Sequence, residues 1–275
     1  MTTHAAHRPL AQEPLRVRCS GVILSELLRL VTVRSTWWLV GIALGLASLI
    51  TSLLVASLAT SSSSRLSASD VMLSVVQAST LHVGFVALVV AVLGVLSVGS
   101  EYATGMIRST YTAVPQRLPS LLARTGVVAA AGFLVGLVTV GVSFAFIASA
   151  FALRGTAPAL SAEALGALLG GPFYLAVVGA FSVGLGALLR NTAAAISTTV
   201  GLLFVLPTVL MIFKAMTHVW WVDTVLKYLL SNLGDKISNI TDQTIMPTPV
   251  TIVALIVWAL ATVVPALLLT HLRDV

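Results

Sequence analysis

Apolar residues gather into six long blocks along this chain, at about 37–59, 81–100, 126–153, 165–189, 193–213 and 250–269. Each block is long enough for the ~20 residues that cross a hydrocarbon core. None contains Asp, Glu, Lys or Arg, and His82, at the edge of the second, is the one histidine among them. Before the first block the pattern has a different period. From Ser20, a plausible cap, Ile23, Leu27, Leu30 and Val31 fall on one helical face, and Ser25, Arg29 and Thr32 on another. Such a segment, 20–36, predicts an amphipathic helix lying at the membrane interface, with Arg29 and Arg34 towards headgroups or a protein partner. Trp37 and Trp38 then stand where an aromatic belt marks the start of the first span. Residues 1–19 hold Pro9 and Pro14, show no period and read as a mobile tail ahead of a single membrane domain, 20–275.

The longest polar interruption in the first half runs from Gly99 to Arg124 and carries Glu101, Arg108, Arg117 and Arg124. Within it Tyr102, Met106, Ile107 and Tyr111 share one side of a short helix, and Pro115 and Pro119 turn the chain back. A helix of this kind between two spans is a docking surface for something outside the bilayer; the same spacing also fits a solvated connector. Residues 60–70 are Ser-rich and read as a flexible loop, and 154–163 as a brief turn. Residues 214–247 differ from both. Trp221, Val225, Leu229, Leu233, Ile237 and Ile240 keep a helical period there, while Asp223, Lys227 and Asp235 stay polar. This segment predicts outer helices, re-entrant or interfacial, between spans five and six; an ordinary external loop is the alternative.

Composition agrees with the pattern. The chain is 58% hydrophobic and 9% charged over 275 residues, against roughly 25% charged in soluble proteins. Its one cysteine, Cys19, supports neither a disulfide framework nor a Cys-based metal site. The net charge of +6 forms no basic patch on a soluble domain, which argues against a nucleic-acid partner. It follows topology instead. With the N-terminus cytoplasmic, ten of the basic residues lie inside (Arg8, Arg16, Arg18, Arg29, Arg34, Arg108, Arg117, Arg124, Arg190, Arg273) and five outside (Arg65, Arg154, Lys214, Lys227, Lys236). The positive-inside rule therefore puts both termini and the Gly99–Arg124 stretch in the cytoplasm.

Inside the spans, Gly41/Gly45, Gly132/Gly136 and Gly166/Gly170 form G-x-x-x-G pairs that allow helices to approach closely. Pro172, Pro207 and Pro265 each remove a backbone donor and predict kinks or interruptions in spans four, five and six. Several chemistries are disfavoured. No lysine stands in a G-x-x-x-x-G-K-[ST] loop, and no His precedes a Glu as in H-E-x-x-H. Ser182, in Gly179-Ala-Phe-Ser-Val-Gly184, lacks the G-x-S-x-G spacing of a serine hydrolase and reads as a packing or backbone-bonding residue. The absence of membrane-buried acids lowers, without removing, the case for an ion-coupled carrier.

Two stretches and the C-terminus resemble a known family. Ser25–Val40, S-E-L-L-R-L-V-T-V-R-S-T-W-W-L-V, is similar to the N-terminal segment of bacterial, actinobacterial-like ABC transporter permeases of the ABC-2 exporter type. Glu101–Arg117, E-Y-A-T-G-M-I-R-S-T-Y-T-A-V-P-Q-R, resembles the run that follows their second span, and His271–Val275, H-L-R-D-V, their usual ending. The chain departs from the commoner form at Leu28 and Ala103, where that family often has basic residues. The resemblance implies an all-α, six-span permease in the bacterial cytoplasmic membrane that dimerises and binds two copies of a separate P-loop ATPase. ATP and Mg would sit on that partner, with no cofactor, metal or catalytic residue in this chain. It assigns ATPase coupling to Glu101, Tyr102, Gly105, Met106, Ile107 and Arg108, supported by Glu26, Arg29 and Arg34. Dimer packing would involve Gly41, Gly45, Thr198, Thr199 and Gly201. The expected activity is export of an amphiphilic drug, antimicrobial peptide or lipid-like compound. A secondary carrier and a membrane anchor or sensor without transport are the alternatives.

Overall fold

The computed structural model describes residues 19–60, 68–104, 117–155, 160–217, 219–240 and 247–272. Among them all regular structure is helical. In chain order the helices are α1 (Cys19–Thr32), α2 (Arg34–Thr60), α3 (Ala68–Thr80), α4 (Val83–Thr104), α5 (Arg117–Ala152), α6 (Ala162–Leu189) and α7 (Thr192–Val200). A π-helical segment, Gly201–Val205, then leads into α8 (Leu206–Thr217), followed by α9 (Trp220–Tyr228), α10 (Leu230–Ile237) and α11 (Thr248–Leu272). Six stretches are long and apolar enough to cross a membrane: Arg34–Ser57, Val71–Gly99, Pro119–Ala152, Ala162–Leu189, Thr192–Thr217 and Thr248–Leu269.

The molecule is built around α6. Ser161 caps its start, accepting a hydrogen bond from the Ala164 amide at 3.1 Å. Arg190 ends it in the left-handed conformation with φ 51°. Its 18 most apolar residues are 67% buried, against 17% for the corresponding window of α2. Close approach by α5 requires glycine: a Cβ at Gly136 would stand 2.6 Å from the Cα of Pro172, and one at Gly132 2.8 Å from the Leu175 carbonyl oxygen. On another side Thr262 of α11 donates to the Phe181 carbonyl at 3.0 Å, and Trp258 meets the Phe181 ring edge-on at 5.9 Å. One interhelical hydroxyl pair, Thr51 with Ser143 at 2.7 Å, joins α2 to α5.

Three features differ from the sequence pattern. The second span, expected from Leu81, is preceded by helix α3, and only a turn at Leu81–His82 separates the two helices. Ser79 and Thr80 obscure the apolar period of α3, but their hydroxyls donate back to the Val75 and Val76 carbonyls, which lets them be buried beside Val71, Val75 and Val76. Pro172 and Pro265 do not interrupt their helices, which run continuously through both. Pro172 is buried among neighbouring helices, the setting in which proline is tolerated at membrane depth, and Pro265 is half-buried. Only Pro207 adjoins irregular backbone, where the Leu206 amide reaches five residues back to Gly201.

Of the helical period expected over 214–247, the described part is present in α9 and α10, with a shift of phase in α9. α9 buries Val222 and Leu226 rather than Trp221 and Val225, which are 42% and 40% exposed. Leu229 lies between the helices in an extended conformation, and α10 then buries Leu230, Leu233 and Ile237. Across that extended residue the buried positions Val222, Leu226, Leu230, Leu233 and Ile237 still follow one another at steps of three or four.

Candidate functional site

The end of the bundle that holds α1 also gathers the C-terminal ends of α4, α6 and α11 and the starts of α2, α5 and α7. α1 is attached there by charge. Arg124, two turns into α5, donates from Nε to Glu26 Oε2 at 3.1 Å and from a terminal nitrogen to Oε1 at 2.9 Å. The two side chains are 6% and 12% exposed, so the fork-on-carboxylate pair is nearly dry. Each charge lowers the cost of burying the other, and loss of either would leave its partner in an apolar wall. Leu30 adds an apolar contact to the cluster around Val98, Leu121 and Val128.

The corner between α1 and α2 is also fixed by hydrogen bonds. The Val33 amide reaches the Arg29 carbonyl, the Thr36 amide reaches Val33, and Trp37 Nε1 donates to the Val31 carbonyl at 2.8 Å. Trp37 thereby closes the end of α1 while its ring stays 63% exposed. On α1, Leu30 packs inward, whereas Ile23, Leu27 and Val31 are exposed.

Two hollows meet at this corner. A pocket of about 210 Å³ is lined by Glu26, Arg29, Ser35, Thr36, Ser97 and Arg124 among apolar residues. Beside it an almost wholly apolar groove of about 800 Å³ runs between α1, the start of α2 and α5, from Pro119 to Leu134. Leu30, Thr36 and Val127 line both.

The other expected site residues are distributed unevenly. Glu101 and Tyr102 belong to the last turn of the α4 backbone. Gly105, Met106, Ile107 and Arg108 lie outside the described residues. Arg34 is exposed at the start of α2, whereas Glu26 is engaged within the chain by Arg124. Gly41 and Gly45 have nothing within 4 Å of a Cβ position, and the same holds for Gly201. Thr198 is exposed, but Thr199 is buried and donates to the Ala195 carbonyl at 2.7 Å, so its hydroxyl faces the chain's own fold and not a dimer surface.

At the opposite end the polar contacts are mostly uncharged. Thr80 donates to Asn239 Oδ1 at 3.2 Å, and Asn239 donates to the Asp235 carbonyl at 2.7 Å. Lys214 pairs with Asp223 beside an open cleft that Asp235 also lines. Partial burial raises the Asp235 carboxyl above its ordinary value. His82 is fully buried at the α3–α4 turn, and neither ring nitrogen has a hydrogen-bond partner among the described residues. Ser182 donates to the Val178 carbonyl at 2.7 Å, the backbone bond expected of it. Among the described residues no three His, Cys, Asp or Glu side chains come together.

The residue whose role the sequence pattern misses is Arg124. Its signal is the pairing of two isolated opposite charges, Glu26 and Arg124, at the margins of apolar segments. Neither a known protein family nor a characterised protein gives a match to this chain.

Proposed function

We propose that the chain is the permease subunit of an ATP-driven exporter of the ABC-2 type, lying in a bacterial cytoplasmic membrane with both termini inside. A separate ATPase, present in two copies with its own ATP and Mg, docks on the stretch that follows α4. Two permeases form the export path between them for an amphiphilic compound. The α9–α10 segment lies at the outer face as interfacial or re-entrant helices.

The observation that carries this reading is the Glu26–Arg124 clasp. It fastens α1 to the beginning of α5, while the Gly99–Arg124 stretch joins α5 to α4 directly. A push on that stretch therefore reaches α1, α4 and α5 together, which is what a subunit with no energy source of its own requires. Glu26 acts in this scheme by holding α1, and Arg29 and Arg34 act from the exposed corner. Met106 and Ile107 anchor the ATPase, and Arg108 and Glu101 set its register.

The test is Ile107→Asp, assayed by ATPase pull-down and export at equal membrane levels of permease. Loss of both with normal insertion is the expected result. Retention of both reduces the stretch to a connector and overturns the reading.

A further inference from the structure

We infer that the corner between α1, α2 and α5 is a seat for one anionic glycerophospholipid from the leaflet on the α1 side. The phosphate lies at the polar pocket and one acyl chain lies along the apolar groove. The inference rests on the six apolar helices being membrane spans and not on the transport reading.

Three observations select this occupant. The first is continuity: a pocket that carries charged and hydroxyl side chains among mainly apolar walls opens into a groove that is almost free of polar surface, an arrangement that suits an amphiphile with a small head. The second is length. From Arg124, the charged residue that α5 gives to the pocket, to Leu134, the last residue it gives to the groove, is ten residues, about 15 Å at 1.5 Å per residue; in the other direction the groove reaches Pro119. That is half of the ~30 Å hydrocarbon core, the depth of one leaflet. A second copy of the chain would have no reason to match that depth with its polar end at the same level.

The third is charge. Glu26, Arg29 and Arg124 line the pocket, a net +1, and exposed Arg34 at the same corner adds another positive charge. Ser35 and Thr36 line the pocket from the first turn of α2, where hydroxyl donors and the positive end of the helix dipole both favour a phosphate. The Glu26 carboxylate and Arg124 neutralise each other, which leaves the sign of the corner to Arg29 and Arg34. Trp37, held to the Val31 carbonyl, stands at the mouth of the groove at the depth of a headgroup.

The test uses purified full-length protein in nanodiscs containing a photoreactive phosphatidylglycerol with a diazirine on its acyl chain, or the matching phosphatidylcholine. Adducts are mapped by mass spectrometry, with no ATPase or transported compound present, so the result is separable from the fate of the transport reading. Adducts on Leu27, Ala130 and Leu134 should exceed those on Val253 and Val257 of α11, an exposed apolar face without a polar pocket. Phosphatidylglycerol should give several-fold more of them than phosphatidylcholine. Arg29→Glu should remove that preference, and Ala130→Trp, at an exposed position that fills the groove, should reduce adducts from both lipids. Equal labelling of the α11 face, or of both headgroups, would mean ordinary annular lipid and overturn the proposal. Cysteine cross-links between copies through Leu27 and Leu134, with lipid adducts absent, would assign the groove to a second chain and overturn it equally.

Discussion

Gly132 and Gly136 on α5 have the same spacing as Gly41 and Gly45 on α2, and both pairs sit in apolar helices. The pair on α5 is pressed against the α6 backbone, whereas nothing lies within 4 Å of a Cβ at either glycine on α2. The difference follows from position: α5 packs on the central helix, and α2 lies at the rim with most of its surface open. Small residues permit close approach without specifying a neighbour. In the interior that permission has been used within the chain. On α2 it is still available to another molecule, and the dimer proposal draws on it.

The sharpest way to break this contrast is Gly136→Leu. The obstructing atom is backbone, which cannot swing away, so we expect a loss of about 3 kcal/mol or more, read as failed assembly or a large drop in thermal stability in detergent. A mild effect would mean that α5 and α6 can separate without loss of the fold. Next in size is Arg124→Ala, which strands the Glu26 carboxylate in an apolar wall and should cost about 3 kcal/mol. Limited proteolysis should then release α1 first. The double variant Glu26→Gln, Arg124→Met should recover much of the stability, since neither member of this pair is then left as a lone charge; no recovery would mean that Arg124 does more than neutralise Glu26.

Gly45→Leu should change subunit stability by no more than about 0.5 kcal/mol, as surface substitutions do, while lowering the dimer fraction measured by mass in nanodiscs. Unchanged dimerisation would remove α2 from the interface. The smallest effect is expected for Lys214→Ala. Its pair with Asp223 is half-exposed on both sides, and the melting temperature should not move measurably.

The six apolar blocks were legible because charge is wholly segregated from them, a signal that needs no knowledge of neighbours. The burial of α3 was not, because Ser79 and Thr80 look like loop residues until their hydroxyls are seen bonded to the preceding turn. At Pro172 and Pro265 the interruption that a local rule allows does not occur, and both helices run on through the proline. In the candidate site, Glu26 was recognised as important but given an external partner. Its actual partner, Arg124, stands 98 positions away, beyond the reach of any periodicity. Along α1 the pattern likewise leaves the neighbours of each apolar residue open. Leu30 has an inner neighbour, whereas Ile23 and Leu27 border a groove, and hydropathy cannot tell a side chain facing protein from one facing a hollow.

The π-helical segment at Gly201–Val205 has a geometric consequence for the fifth span. Ala195, Thr199, Leu203 and Pro207 are all buried, a seam of every fourth residue. In a regular α-helix each step of four overshoots a full turn by about 40°, so such a seam would wind away from its neighbour within a few steps. The wider turn takes back part of that overshoot where the drift would otherwise carry Pro207 off the line. The span thus acts as a vernier, two regular scales offset by one wide division. Removing one residue from that division would leave both halves helical and turn the half that holds Pro207 away from the line on which Ala195 and Thr199 lie.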